Sequence, residues 1–168
     1  MAIAKELALH PEQLEQILLS EWNMCIATVG PGRRINLTPM WFGWVGGKIY
    51  TYARGQKVVN LRQNPNCTVL VDRNEKFPEL QGIMMLGRGR VLEDAAAERA
   101  DPHLAEVRAQ MGRKYNGGHG QPPAADPQPF SATAGGSTRR RVVFTPETTV
   151  TWDNFKLRGG EGDGRKRP

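Results

Sequence analysis

Lys57 stands three positions after Arg54, with Gly55 and Gln56 between them, at the head of the helix-like stretch 56–64. A helix N-terminus presents unpaired N–H groups and the positive end of the backbone dipole. A lysine and an arginine added there make a site for phosphate. The competing account is an exposed lysine on a surface helix. Upstream runs an aromatic strand, Thr38-Pro39-Met40-Trp41-Phe42-Gly43-Trp44. Pro39 cannot donate a ladder hydrogen bond, so its strand is an edge or is bulged there. Broken pairing would free the backbone of Thr38, Pro39, Met40 and Trp41 for the polar rim of a ring. Trp41, Trp44 and Trp152 are the aromatic candidates, with core packing as their competing account. Together these residues suit a flat, phosphorylated ligand.

Little else in the chain offers chemistry. His10, His103 and His119 are far apart and in different contexts, so they form no metal triad. No Walker loop or Gly-x-Ser-x-Gly occurs, and Gly87-Arg-Gly89 lies in strand-like sequence without the helix start that a Rossmann turn needs. Asp72, Glu75 and Glu79 are loop-type residues that make no acid–base pair. An enzyme built this way takes its hard chemistry from a cofactor.

The elements that must position these residues follow from periodicity and turn chemistry. Residues 11–20 read as a helix, with Pro11 at its first position and Leu14, Ile17 and Leu18 at helical spacing. Strands are expected over 24–29, 35–45, 48–53, 67–72 and 82–93, with Gly46-Gly47 as a two-residue hairpin turn. Final strands are expected over 140–144 and 148–154, around Pro146. Residues 94–115 read as helical with an interruption at Asp101-Pro102. Residues 116–136, rich in glycine and proline, read as a mobile loop, and residues 158–168 as a disordered polar tail. Short strands in hairpin order favour an antiparallel barrel over a doubly wound sheet.

At 168 residues, with 39% hydrophobic and 24% charged residues, the chain has the makings of one domain, over 1–157. It contains no apolar run long enough for a transmembrane helix and no secretory signal pattern. Cys25 and Cys67, both in strand-like sequence, read as free thiols in a reducing cytoplasm. The net charge of +6 invites a polyanion. Part of that excess sits in Arg139-Arg140-Arg141 and in the tail, where a charge run reads as a solvated face or a loose end. A nucleic-acid role is therefore not expected.

Several segments carry a resemblance: Leu-Thr-Pro-Met-Trp-Phe (37–42), Gly-Gly-Lys-Ile-Tyr (46–50), Lys57-Val-Val-Asn-Leu-Arg-Gln-Asn-Pro65, Thr-Val-Leu-Val-Asp72, Gly-Arg-Gly-Arg-Val91 and Val-Thr-Trp152-Asp. In this order the chain resembles the pyridoxamine 5′-phosphate oxidase-like split-barrel proteins, and among them the flavin/deazaflavin oxidoreductase branch. The resemblance implies a mainly β fold, a six-stranded antiparallel split β-barrel with a few peripheral helices. It implies a homodimer with FMN or the deazaflavin coenzyme F-420 in a groove between subunits. It assigns Lys57 to the cofactor phosphate, with Arg54 and Gln56 beside it. It assigns Thr38, Pro39, Met40 and Trp41 to the cofactor ring, Thr51 and Ala53 to its vicinity, and Trp152 to the ring or the dimer seam. The oxidases proper carry an Arg-Lys pair at the phosphate and a C-terminal Arg-x-His motif; this chain has Gln56-Lys57 and no clear counterpart of the second.

The leading expectation is a cytoplasmic oxidoreductase that moves hydride between its cofactor and a small conjugated substrate, with Lys114 and Tyr115 as covers for the acceptor. The rival expectations are a carrier or sensor of the cofactor without turnover, and a basic polyanion-binding module. For F-420, whose phosphate is followed by a lactyl-oligoglutamate tail, Arg33, Arg34 and Arg62 are the further cations to place.

Overall fold

The computed structural model describes residues 5–116 and 139–160. Apart from Asn116, the expected loop over 116–136 lies outside the described residues, as does the chain from 161 onward. Helix α1 spans Pro11–Ser20 and begins at a proline, where the missing N–H costs nothing. Strand β1 (Asn23–Val29) alternates as a half-buried strand should, with Met24, Ile26 and Thr28 inward. Strands β2 (Ile35–Trp41), β3 (Gly43–Val45) and β4 (Lys48–Ala53) follow. Gly46 and Gly47 both take positive φ, 59° and 70°, in the tight turn between β3 and β4. Helix α2 (Gln56–Gln63), β5 (Asn66–Arg73) and β6 (Gln81–Leu92) come next. Helices α3 (Ala95–Arg99) and α4 (Leu104–Tyr115) precede the last strand, β7 (Arg140–Asp153).

All pairings are antiparallel, in the order β2-β1-β5-β6-β7-β4-β3. The first and last strands of that order are β2 and β3, which only Phe42 separates in sequence. A sheet whose two edges belong to consecutive residues must curl upon itself, and the fold is the expected split barrel, with seven strands among the described residues where the resemblance implied six. Two expectations are corrected. The single strand expected over 35–45 breaks at Phe42. The two strands expected around Pro146 are one continuous β7, whose register against β6 jumps from Leu86–Thr148 to Gly87–Pro146. Glu147 is the extra residue of a bulge, which absorbs the N–H that Pro146 lacks. At the C-terminus a 3₁₀ segment covers Asn154–Gly160, so ordered structure reaches into the stretch expected as tail.

The barrel interior is filled by Ile26, Ile49, Val69, Val71, Ile83, Met85, Val142 and Phe144, each fully buried. Helix α1 adds Ile17 and Leu18 to this cluster, and α2 adds Val58 and Leu61. A second layer forms on the opposite face of β4 and β7, where Tyr50, Leu92 and Val143 pack under Val107, Met111 and Tyr115 of α4. The outward side chains of β2 stay apolar and uncovered: Ile35 is 72% exposed, Leu37 65% and Trp41 45%. Cys67 is buried, Cys25 half-buried, and both are free thiols.

Gly82 shows how tightly β6 and β7 meet. It lies opposite Trp152, and a Cβ placed on Gly82 would sit inside the indole. Gly82→Ala is expected to destabilise the fold by about 1–3 kcal/mol, the cost of overpacking. Adding Trp152→Phe should recover part of the loss, read as a rise in the thermal midpoint of the double variant above the single one.

Candidate functional site

The site sits where the barrel is split. Strand β3 pairs with β4 only at residues 48–50, so the following part of β4 faces β2 without a ladder between them. One bond spans the gap: the Thr51 hydroxyl donates to the Trp41 carbonyl at 2.6 Å. Beside it lies a cavity of about 300 Å³. Its β2 wall is Thr38, Pro39, Met40 and Trp41; its β4 wall is Tyr52 and Arg54; Lys57, Met111 and Arg139 complete it. Strand β2 is an edge strand, as Pro39 requires, and its outer backbone edge opens toward this space.

Helix α2 brings Lys57 to the cavity and is held in place from below. Asn60, fully buried, donates from Nδ2 to the Thr28 hydroxyl at 3.0 Å and accepts at Oδ1 from Gln56 Nε2 at 2.8 Å. Gly55 precedes the helix with φ 62°, and no side chain caps it. The Val58 N–H turns back to the Gly55 carbonyl at 3.1 Å, which leaves the N–H groups of Gln56 and Lys57 for a ligand, with Arg54, Lys57 and Arg139 around them. Among the described residues none of these three cations is paired with a carboxylate.

The aromatic wall is built from three rings. Trp41 stacks face to face on Tyr115, with centroids 4.5 Å apart and planes 4° from parallel. Trp22 meets both rings edge-on, at 6.2 and 5.2 Å. The Tyr115 hydroxyl accepts from the Phe42 N–H at 2.9 Å, and its own hydrogen has the carbonyls of Phe42 and Trp22 within 2.9 Å. Burial raises this phenol well above the usual tyrosine range. Lys114 lies in the same wall, its ammonium 3.8 Å from the centroid of the Phe42 ring and 3.4–3.5 Å from the carbonyls of Phe42 and Leu18. Burial pushes its amine down to about 8, against a smaller opposing effect of Glu21.

Of the residues the sequence nominated, the cavity gathers Thr38, Pro39, Met40, Trp41, Arg54 and Lys57. Four lie elsewhere. Thr51 spends its hydroxyl on Trp41, and Ala53 is buried in the barrel. Gln56 turns toward Asn60 and borders a neighbouring cavity with Arg34 and Asn36. Trp152 packs over Gly82, distant along β7 from the segment that pairs with β4. Lys114 and Tyr115 stand behind Trp41 and not over the cavity. Tyr52, Met111 and Arg139 were missed. Strand alternation held the signal for Tyr52, since Thr51 and Ala53 inward places it on the other face. The arginine run expected as a solvated face is not one: Arg141 is fully buried, its guanidinium 4.2 Å from the Tyr52 ring centroid, and burial pushes it down to about 10. Among the described residues no helix is long and apolar enough to cross a membrane, and no three His, Cys, Asp or Glu residues are placed to hold a metal.

The sequence profile of the pyridoxamine 5′-phosphate oxidase family matches residues 10–152. Curated protein sequences give no match. Among solved structures, a conserved hypothetical protein from Mycobacterium tuberculosis, Rv2991, is 22% identical, with 94% of this chain and 92% of that one covered and a TM-score of 0.73. A FAD-binding protein from Mesorhizobium loti is 16% identical, with 86% and 94% covered and a TM-score of 0.59. An F420 reductase is 22% identical, with 81% and 94% covered and a TM-score of 0.52. At these identities the likeness is one of fold.

The half-buried Lys114 gives stability a pH dependence of defined sign. Its folded value lies below its ordinary 10.5, so between about 8 and 10.5 the unfolded chain holds a proton that the folded chain has shed. Stability therefore rises with pH across that window, by up to roughly 3 kcal/mol. The Cys67 thiol, pushed up to about 11, acts in the opposite sense. The measurement is thus the difference between wild type and Lys114→Met in denaturant titrations: the variant should be the more stable at pH 7, and the gap should close by pH 10.5.

Proposed function

Because the chain belongs to the pyridoxamine 5′-phosphate oxidase family, we propose that it is an oxidoreductase holding FMN or coenzyme F-420 and passing hydride between that cofactor and a small conjugated organic substrate. The observation that carries this reading is the composition of the cavity at the split. A ring's polar rim has the open backbone edge of residues 38–41 beside it, and a phosphate has Arg54, Lys57 and Arg139 at an uncapped helix start. These donors fit a flat ring with an anionic tail. When bound, the cofactor supplies the two-electron chemistry for which the chain has no constellation of its own. The chain binds it, fixes its orientation between Trp41 and the β4 edge, and keeps water from one side. The names carried by two of the similar structures, FAD-binding protein and F420 reductase, agree with this reading.

Between the two cofactors, the structure offers an argument for F-420. A second cavity of about 640 Å³ is lined by Arg34, Asn36 and Gln56; Asn36 accepts from the Thr38 hydroxyl of the first cavity, and Gln56 precedes Lys57 in sequence. An acidic tail leaving the phosphate would run there. Arg62 is not available to it, being paired with Glu93 at 2.5 Å. Pyridoxamine phosphate is disfavoured as substrate, because the chain has no clear counterpart of the oxidases' C-terminal substrate-binding Arg-x-His motif.

The second subunit belongs to the same proposal. The outward apolar residues Ile35, Leu37 and Trp41 make a face that a second copy would cover. Trp41 belongs both to that face and to the cavity, so the covering copy would also close the site. Cytoplasmic residence is proposed from the two free thiols.

Mixing the purified chain with each cofactor should perturb the absorbance of one of them. Lys57→Ala should weaken that binding about 10- to 100-fold, the worth of a charge-assisted bond. Unchanged affinity in this variant would remove the phosphate assignment, and tight binding with no reduction of any enone or quinone would turn the reading to a carrier. Leu37→Lys should shift the chain from dimer to monomer in light scattering and lower cofactor affinity with it.

A further inference from the structure

Tyr52 and Arg141 face each other across the β4–β7 ladder. Tyr52 lines the cavity, half-buried, while Arg141 behind it is fully buried. Arg141 Nη2 donates to the Tyr52 hydroxyl, and the guanidinium also lies over the Tyr52 ring at 4.2 Å. Its Nε and Nη1 are buried and make no hydrogen bond among the described residues. The nearest carboxylate, Glu98 of α3, stands 3.9 Å from Nε and is shared with Arg108 at 3.4 Å. A guanidinium is donor only, so the phenol oxygen is the acceptor in their contact and the phenolic hydrogen points away from Arg141. A buried cation whose N–H groups lack acceptors gains from any negative charge that forms beside it. The phenol oxygen is placed to carry that charge.

From this we propose that Tyr52 is the proton donor of the reaction, with Arg141 as the positioning residue that stabilises the phenolate left behind. The inference rests on the oxidoreductase reading above. Two-electron reduction of a conjugated acceptor consumes a hydride and a proton. The acceptor takes the hydride, with its electron pair, from the reduced flavin or deazaflavin. It takes the proton from Tyr52 Oη as that O–H bond breaks, and the phenolate regains a proton from water. Cavity cations add to the effect, since Arg54, Lys57 and Arg139 line the same space. Tyr50, two residues before on the same face, stays neutral: burial and its bond to Asp101 push it up to about 12.

The chain has three tyrosines, and this makes the test specific. Tyr50 and Tyr115 are both raised, so the first phenolate to form on raising pH should be that of Tyr52, below the ordinary value of about 10. Ultraviolet titration of the cofactor-free chain should show that step, Tyr52→Phe should abolish it, and Arg141→Met should move it up. Arg141→Lys, which keeps a charge and tests the same point if the methionine variant fails to fold, should restore it in part. With cofactor, Tyr52→Phe should keep its affinity and lose about 10²–10⁴-fold in turnover. A first phenolate that survives in Tyr52→Phe, or a turnover loss below about twofold, overturns the donor role. Failure of the wild-type chain to bind either cofactor sinks the oxidoreductase reading and the donor role with it. Normal cofactor binding beside an unshifted Tyr52 sinks the donor role alone.

Discussion

One residue, Phe42, joins the two edges of the sheet, and the rest of the molecule is arranged around that fact. Strand β2 lies at one end of the strand order and β3 at the other, yet the chain passes between them in a single step. The peptide at Phe42 belongs to neither ladder, so its polar groups need partners from elsewhere. Tyr115 supplies them: its hydroxyl accepts from the Phe42 N–H and lies within bonding distance of the Phe42 carbonyl, across 73 residues of sequence. The same tyrosine carries the ring on which Trp41 stacks. The bond that closes the barrel and the contact that shapes the cavity wall are thus made by one side chain. Leaving the Phe42 groups buried without a partner would cost about 1–3 kcal/mol apiece.

Charge is distributed around this frame in two layers. At the cavity surface, Arg54, Lys57 and Arg139 have no carboxylate partner among the described residues, which a protein tolerates where an anionic ligand compensates them. Behind that surface, Arg141 is a buried cation and Lys114 a half-buried one, both pushed to lower values by loss of solvent. Arg141 lies over the Tyr52 ring, Lys114 lies over the Phe42 ring beside the carbonyls of Phe42 and Leu18, and any carboxylate help is distant or minor. Burying charge in this way opposes folding. Both residues lie within one side chain of the cavity, Arg141 behind Tyr52 and Lys114 behind Trp41 and Tyr115.

Much of this was legible in the sequence, for reasons that are local. Gly46-Gly47 marked its hairpin, Pro11 its helix, and Pro39 its edge strand, because each residue imposes a backbone geometry by itself. The cavity residues 38–41, Arg54 and Lys57 follow from that edge strand and from the helix that starts after Gly55. What escaped the reading depends on tertiary partners. Phe42 sits in an aromatic, strand-like run with nothing to mark a break; the cause is a tyrosine far along the chain. Trp152 lies against Gly82 because two strands meet there, a contact that neither its residue type nor the resemblance, which assigned it to the ring or the dimer seam, could show. The arginine run looked solvated because three cations in a row usually are; strand alternation turns Arg141 inward behind Tyr52.

The order of strands also bears on how the chain is made. Of the seven strands described, β7 is the last to leave the ribosome, and it lies in the middle of the sheet, paired with β6 on one side and β4 on the other. Until it arrives, the nascent chain holds two separate fragments, β2-β1-β5-β6 and β4-β3, tied at Phe42. Each fragment carries an unsatisfied edge, at β6 and at β4, open to the wrong neighbour. The newborn protein is therefore most vulnerable just before β7 emerges, and a chain without β7 would lack the piece that makes two half-sheets into one.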